Sequence, residues 1–315
     1  MANFFRLVHN ENMKMYRRMS TITMLLLLVG GIGFAGIMQK TYSQPNDGAD
    51  WKQALTEETA AMKEQLKEGG QEAYINSLKE SIAINEYRLE HNLEPISETS
   101  FWGFIDFTTN FVGIIGIFTI IVAGGILASE FSWGTIKLLL IRPVKRSTIL
   151  LSKYVSTLLF AFLMLIILFV VSSFLGGILF GFEGASQPYL NVVDGNVVEQ
   201  SMLTHILQTY GLNSISLVMM VTFAFMVSTI FRNSSLAIGI AVFLSLSGDM
   251  IVMMLRQYEW VKYVLFANLN LSQYFSGTPL IEGMTLSFSL TVLAVYYVAF
   301  LIISWTVFIK RDVAA

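Results

Sequence analysis

The sequence predicts an all-α membrane protein with six transmembrane helices. Of its 315 residues 54% are hydrophobic and only 13% are charged, and the mean hydropathy is +0.62. This charged share is about half that of an ordinary soluble domain. A helix needs about 20 apolar residues to cross the hydrocarbon core of a bilayer. Runs of this kind lie at residues 20–38, 108–128, 151–181, 212–231, 235–255 and 286–309.

Basic residues are distributed unevenly between the two sides that six spans define. The side with both termini holds twelve of the 20 basic residues, namely Arg6, Lys14, Arg17, Arg18, Lys137, Arg142, Lys145, Arg146, Lys153, Arg232, Lys310 and Arg311. It holds only three acidic residues, which are Glu11, Glu130 and Asp312. Because Lys and Arg in short loops favour the cytoplasm, we expect both termini, including the tail at 310–315, to be cytoplasmic.

Residues 1–19, before the first span, are predicted to form an interfacial amphipathic helix. Phe5, Val8 and Tyr16 can share an apolar side, while Arg6 and Lys14 lie away from it. Such a helix rests on the inner membrane surface, where basic residues favour anionic lipids. It either anchors the chain to the membrane or also transmits force from a partner.

Residues 39–107 form the one long polar stretch and are predicted to be an extracellular helical hairpin. Apolar residues recur at helical spacing in two stripes, Leu55, Thr59, Met62 and Leu66, then Ile75, Leu78, Ile82, Asn85 and Leu89. Gly69 and Gly70 suit the turn between the two helices. The stripes are either a seam between these helices or a contact surface for another protein or a substrate.

Two further segments are predicted to lie outside the cell. Residues 182–211 read as an extracellular loop in which His205 stands alone. Residues 256–285 are amphipathic and rich in aromatic residues, with apolar runs too short to cross the membrane. We expect short outer re-entrant helices there, or an anchor at the lipid interface, before the last span.

The loop at 129–150, between the second and third spans, is the most distinctive part of the chain. Glu130 follows the apolar run directly, and Pro143 is expected to end a short helix that covers residues 132–141. Its aliphatic face has no evident partner within the loop, so it either packs against the base of the bundle or contacts another protein. The candidate interaction residues are Glu130, Ser132, Trp133, Gly134, Thr135, Ile136, Lys137, Leu139, Leu140, Arg142, Pro143 and Arg146.

Sequence motifs for catalysis are missing. The chain has no G-x-x-x-x-G-K-[ST] loop, no H-E-x-x-H, no G-x-S-x-G, no cysteine and only three histidines. We therefore expect no catalytic residues, no metal site and no cofactor on this chain. Basic residues are not interleaved with aromatic residues on a soluble domain, so nucleic-acid binding has no support.

Asp249 is an acidic residue inside the fifth span, and an ionisable residue at such a position indicates a functional site. Ser245 lies four residues earlier and shares its helical face. Asp249 either lines a polar cavity, where it would bind a cationic substrate or a proton, or it lies near the outer membrane boundary, where water reaches it.

These elements resemble the type-2 permease subunits of ABC transporters. The resemblance rests mainly on the loop, in Glu130, Gly134-Thr135, Lys137, Leu138–Leu140, Pro143, Arg146 and Lys153. The amino end, with Leu7, Asn10-Glu11, Lys14 and Arg17-Arg18, is similar to the interfacial helix of that family. The segment NEYRLEHNLEP at 85–95 resembles permeases of low-GC Gram-positive bacteria.

The resemblance implies a subunit in the bacterial plasma membrane that is not itself an enzyme. The helix at 132–141 would be a coupling helix seated in a separate cytoplasmic ATP-binding subunit, which would hold ATP and Mg. A second permease subunit, identical or related, would face this one in the lipid bilayer. The complex would export an antimicrobial peptide, a drug, a lipid-like molecule or an ion.

Two other functions remain open from the residues alone. A stand-alone channel or secondary transporter would require inverted repeats or charged intramembrane pairs, and neither is evident. A membrane sensor would use the extracellular hairpin to detect an outer ligand.

Overall fold

A computed structural model describes residues 2–42, 51–70, 72–140, 143–182, 186–193, 195–275, 279, 281 and 283–310. Within these residues six helices are long and apolar enough to span a membrane, at Met19–Tyr42, Phe101–Ile126, Arg146–Phe180, Met202–Ile230, Ser234–Leu255 and Leu286–Lys310. The prediction of an all-α membrane protein with six transmembrane helices is confirmed.

The secondary structure is almost entirely helical. In chain order the α-helices are α1 (Ala2–Tyr16), α2 (Met19–Tyr42), α3 (Trp51–Glu68), α4 (Glu72–His91), α5 (Phe101–Thr108), α6 (Val112–Ile126), α7 (Ala128–Ser132), α8 (Ile136–Leu140), α9 (Arg146–Phe180), α10 (Met202–Ile230), α11 (Ser234–Leu255) and α12 (Leu286–Lys310). Short 3-10 helices lie at Thr109–Phe111, Glu259–Tyr263, Phe266–Asn268 and Leu271–Tyr274. Strands β1 (Pro188–Val193) and β2 (Asn196–Ser201) pair antiparallel. We call the end of the bundle with α1, α7 and α8 the terminal face and the end with α3, α4, β1 and β2 the hairpin face.

Helix α10 lies at the centre of the bundle and contacts α6, α9, α11 and α12. Its side chains Val221, Ala224 and Phe225 are fully buried. A helix surrounded by protein is apolar on all sides and shows little amphipathic periodicity. Helices α11 and α12 bury a much smaller part of their surface, which places them at the periphery.

The second span begins earlier than the sequence predicts. Helix α5 starts at Phe101, where Ser100 Oγ caps it by accepting a hydrogen bond from the Gly103 amide at 3.1 Å. The 3-10 turn at Thr109–Phe111 joins α5 to α6 without a break. The predicted start at 108 is seven residues late because Asp106 makes the first turns look polar.

On the hairpin face, α3 and α4 pack against each other as an antiparallel pair. Leu55, Leu78 and Ile82 of the two predicted stripes are buried. Lys63 and Glu86 form an ion pair at 2.7 Å across the two helices. The stripes therefore serve as the seam of this hairpin. Residues 43–50, which the prediction includes in the hairpin segment at 39–107, lie outside the described residues.

The segment at 182–211 is a β-hairpin followed by the first turns of α10, whereas the sequence predicts a loop. Val193 pairs with Asn196, and Gly195 between them has a φ of +80°. Asp-Gly is a strong signal for a two-residue hairpin turn. Helix α4 packs on both strands, and Tyr87 Oη donates to Glu199 Oε1 at 3.2 Å. The helical hairpin is thereby docked on the β-hairpin.

The prediction of one helix over residues 132–141 is wrong. Helix α7 ends at Ser132, and α8 begins only at Ile136. Between them Gly134 adopts a φ of +71°, which ends a right-handed helix. The Trp133 amide still donates to the Ser129 carbonyl at 2.9 Å, so the turn follows α7 tightly. Arg142 lies outside the described residues.

The segment before the last span contains three 3-10 helices, between Glu259 and Tyr274, that pack against the bundle. Asn268 Nδ2 donates to the carbonyls of Lys262 and Val264, each at 2.8 Å. Ser289 Oγ of α12 donates to Asn268 Oδ1 at 2.7 Å. Val261 is almost fully buried. The segment is too short to cross the membrane and is fixed to α12 through Asn268.

Candidate functional site

Four charged side chains form a cluster at the terminal face, and we call it the ion cluster. It contains Glu11 and Lys14 of α1, Glu130 of α7 and Lys153 of α9. Lys153 Nζ lies 2.7 Å from Glu11 Oε2 and 3.1 Å from Glu130 Oε1. Lys14 Nζ lies 3.2 Å from Glu11 Oε1 and 4.0 Å from Glu130 Oε1. The cluster therefore joins three helices that are distant in sequence.

Burial gives the ion cluster its structural importance. The Lys153 side chain is only 1% exposed, and that of Glu130 is 10% exposed. Burial opposes ionisation of Glu130, but the charges of Lys153 and Lys14 and a hydrogen bond from Thr135 outweigh it and lower the pKa of Glu130. Thr135 Oγ1 donates to the Glu130 carboxylate. A buried charge without its partner is strongly destabilising, so the four groups depend on one another.

Two serines fix α7 to the neighbouring helices. Ser228 Oγ of α10 accepts hydrogen bonds from the amides of Leu127 and Ala128, at 3.2 and 3.0 Å. These amides lie at the junction of α6 and α7. The Ser228 hydroxyl therefore satisfies backbone donors that the interruption between the two helices leaves unpaired. Ser132 Oγ donates to the Arg232 carbonyl at 3.0 Å and accepts from the Ser234 amide at 3.2 Å. Ser132, a predicted interaction residue, thus links α7 to the start of α11.

Four residues beyond the ion cluster are exposed, and we call Trp133, Gly134, Lys137 and Leu138 the exposed turn. Trp133 is 66% exposed and Leu138 is 68% exposed, and Gly134 and Lys137 are exposed beside them. The Arg18 guanidinium lies 5.5 Å from the centre of the Trp133 ring. An aromatic, an aliphatic and a basic side chain are thereby presented together on the surface.

The aliphatic face of α8 points inward. Ile136 is 3% exposed and Leu139 is 7% exposed, and both belong to the main hydrophobic core. Of the two readings that the sequence leaves open, packing against the base of the bundle applies to these residues. Leu138 lies on the opposite side of α8; it belongs to the motif but is not among the candidate interaction residues. Helical spacing places 136 and 139 on one face and 138 on another, but it does not show which face is buried.

The remaining predicted residues of the loop are divided between the surface and the bundle. Pro143 is exposed. Arg146 donates from Nη1 to the Ile309 carbonyl at 3.3 Å, which links the start of α9 to the end of α12. Leu140 belongs to α8.

Asp249 is exposed on the outer surface of α11, whereas Ser245 on the same side is half-buried. In the described part of the chain the Asp249 carboxylate has no hydrogen bond or ion pair. It lies six residues before the end of α11, about 9 Å along the helix axis. The exposed side chains around it include Leu246 and Met250. The structure therefore places a carboxylate on an apolar surface and away from the end of the span.

No group of three potential metal ligands occurs among the described residues. Six spans with a small polar assembly on one face define an integral membrane protein. The chain belongs to the family described as "Protein of unknown function (DUF2705)", whose model matches residues 74–314.

The chain is similar to two proteins from Bacillus subtilis (strain 168). The chain is 43% identical to "Uncharacterized protein YhcI" over 312 aligned residues. The alignment covers 98% of this chain and 99% of that protein. The chain is also 30% identical to "Uncharacterized membrane protein YdbK" over 220 aligned residues. This alignment covers 69% of this chain and 85% of that protein.

Proposed function

We propose that this chain is the permease subunit of an ATP-driven ABC exporter in the bacterial plasma membrane, with both termini in the cytoplasm. The single observation that carries the proposal is the exposed turn, which presents Trp133, Lys137 and Leu138 directly beyond the buried ion cluster. The loop motif that resembles type-2 permeases includes two of these residues, Lys137 and Leu138. ATP and Mg would bind to a separate cytoplasmic subunit, since this sequence has no phosphate-binding loop.

The arrangement suits the transmission of movement from a partner to the spans. A displacement of the exposed turn would move α7 through its covalent connection at Ser132. The Glu130 contact with Lys153 would pass that movement to α9, and the Glu11 contact would pass it to α1. Buried charges with short contacts resist separation because a broken pair leaves an unpaired charge inside the protein.

The chemistry of the exposed turn defines the partner surface. Trp133 and Leu138 together require an apolar recess, and aromatic side chains of this kind often dominate binding energy. Lys137 and Arg18 favour carboxylates at the rim of that recess. The ATP-binding subunit of the complex would supply a cleft with both properties.

A second permease subunit, identical or related, would cover the surface of α11 around Asp249. A carboxylate inside a membrane span is costly when it faces lipid. Contact with a polar path between two subunits would remove that cost. The exported substrate would be an antimicrobial peptide, a drug, a lipid-like molecule or an ion.

The decisive experiment is purification of the tagged full-length chain from its native membrane, followed by measurement of vanadate-sensitive ATP hydrolysis. Leu138→Asp should remove most of the ATPase that co-purifies, because it places a charge in the apolar recess at a cost of several kcal/mol by order of magnitude. Val198→Asp is the matched control, since Val198 is also an exposed aliphatic residue but lies on the hairpin face. Its effect should be small.

Two results would contradict the proposal. One is a purified wild-type chain without any vanadate-sensitive ATPase. The other is a Leu138→Asp variant that retains the amount and turnover of ATPase seen with Val198→Asp. A stand-alone channel, a secondary transporter or a membrane sensor would then account better for the chain.

A further inference from the structure

A polar cavity of about 250 Å³ lies on the hairpin face, between the β-hairpin and the first turns of α10. Its lining includes Asp106, Tyr189, Asn191, Gln200, His205 and Gln208. A second cavity of about 450 Å³ lies beside it and shares Asp106 and Tyr189 with it. The Asp106 carboxylate thus stands at the junction of two cavities.

Among the described residues the Asp106 carboxylate makes no hydrogen bond. Its side chain is 49% exposed, and Oδ1 lies 3.7 Å from His205 Nε2. This distance is too long for a hydrogen bond. Within the described ranges no other side chain pairs with that carboxylate. An ionised carboxylate can accept several hydrogen bonds, so Asp106 is available to a ligand.

The wall around Asp106 contains an aromatic stack. The His205 ring stacks on the Tyr189 ring, with centroids 3.5 Å apart and an angle of 12° between the planes. Burial and the charge of Asp106 raise the pKa of Tyr189, whereas the nearby Arg88 lowers it. Tyr189 therefore stays neutral and provides a fixed aromatic surface beside the carboxylate. Gln200 Nε2 donates to Gln208 Oε1 at 3.4 Å on the facing wall.

The charges favour a cation over an anion. In the smaller cavity the acidic side chain is Asp106. The amides of Asn191, Gln200 and Gln208 carry further carbonyl oxygens, of which Asn191 Oδ1 already accepts from the Val192 amide and Gln208 Oε1 from Gln200 Nε2. Arg88 lines only the larger cavity, where Glu98 accompanies it. Residues 39–107 carry 13 acidic and six basic residues, so this face attracts cations from solution.

We propose that the cavity beside Asp106 binds a small organic cation through its primary ammonium or guanidinium group. Asp106 accepts the charged hydrogen bonds, the amides accept the remaining ones, and the Tyr189–His205 stack forms the aromatic wall. The cavity volume equals the space that about eight water molecules occupy in liquid water. This size suits a polyamine or the end of a longer cationic chain. The inference concerns binding alone, and it does not depend on whether the chain transports the ligand.

The test uses the full-length chain in lipid nanodiscs and isothermal titration with spermidine, at an ionic strength of about 0.15 M to screen diffuse attraction. Hexanediol serves as the neutral control ligand. Asp106→Asn should weaken spermidine binding about tenfold or more, because hydrogen bonds to a charged group contribute on this scale. Asp106→Glu keeps the charge and should retain most of the affinity.

Two further variants separate the site from general electrostatics. Glu68→Gln removes one exposed negative charge from the same face but outside both cavities, and it should bind spermidine like the wild type. Asn191→Trp keeps Asp106 but fills the cavity, and it should lose binding. Each variant is first compared with the wild type in thermal unfolding.

The proposal is overturned if the wild-type chain shows no saturable spermidine binding, or binds hexanediol equally well. It is also overturned if Asp106→Asn and Glu68→Gln weaken binding by the same factor, which would indicate diffuse attraction. Unchanged affinity in a folded Asn191→Trp variant would place the cation elsewhere. None of these results bears on ATP hydrolysis by a partner, so the proposed function is tested separately.

Discussion

Lys153 is the residue on which the terminal face depends most. Its ammonium group is almost fully buried and lies between the carboxylates of Glu11 and Glu130. Lys153→Met keeps the aliphatic volume but removes the buried partner of both carboxylates and leaves them only the half-exposed Lys14. We expect the variant to lose about 3–5 kcal/mol of stability, the usual cost of breaking a buried ion pair.

Thermal unfolding in detergent, followed by tryptophan fluorescence, measures this loss. Lys63→Met is the matched control, because Lys63 makes an equally short ion pair with Glu86 but is 51% exposed. An exposed pair contributes about 0–1 kcal/mol. Equal and small decreases in melting temperature for both variants would show that burial does not strengthen the ion cluster.

Only part of this site could be predicted at the level of residues. The motif identified Glu130, Thr135 and Lys153 as members of one loop and span, but spacing along a chain cannot show that Lys153 reaches α1. Exposure of Leu138 and burial of Leu139 follow from the direction in which α8 faces the bundle. That direction depends on packing between helices, which a short amphipathic segment does not reveal.

At the level of elements, the turn between α7 and α8 depends on one glycine. Gly134 has a φ of +71°, and no atom lies within 4 Å of the position where a Cβ would stand. Gly134→Ala therefore introduces backbone strain without a steric clash, at a cost of about 1–2 kcal/mol. The expected result is a lower melting temperature and weaker binding of any partner at the exposed turn.

Gly211→Ala is the control for this prediction. Gly211 lies in α10 with no neighbour within 4 Å and no positive φ. Alanine favours the helix there by about 0.5–1 kcal/mol, so this variant should unfold at the same temperature or higher. A Gly134→Ala variant with unchanged stability would mean that the left-handed turn is not required in solution.

The sequence predicts the six long helices but neither the β-hairpin nor the division between α7 and α8. Long apolar helices are recognisable because their length is set by the bilayer. The sequence does not predict the β-hairpin despite Asp194-Gly195, because the apolar residues of the two strands stand in adjacent pairs such as Val192-Val193 and Val197-Val198 and do not alternate with polar ones. The helix over 132–141 was predicted as one unit because the aliphatic run at 138–141 outweighed the signal of a single glycine.

At the level of the whole molecule, the sequence predicts six spans but not their arrangement. Helices α10 and α11 are both strongly apolar, yet α10 is the central helix and α11 is peripheral. The difference lies in which side chains meet other helices rather than lipid, and both environments select apolar residues. The docking of α4 on the β-hairpin is likewise a long-range contact that no local pattern encodes.

The orientation of the whole molecule in the membrane can be tested directly because the chain contains no cysteine. Single variants Val198→Cys and Leu138→Cys place a thiol on an exposed position of the hairpin face and of the terminal face. The excess of basic residues on the terminal face favours a cytoplasmic position for it. A membrane-impermeant maleimide should therefore label Val198→Cys in intact cells, and label Leu138→Cys only after the membrane is permeabilised. Labelling of both variants in intact cells would contradict the single span, α9, that separates the two sites. Labelling of Leu138→Cys alone would reverse the orientation and place the exposed turn beyond the reach of any cytoplasmic ATP-binding subunit.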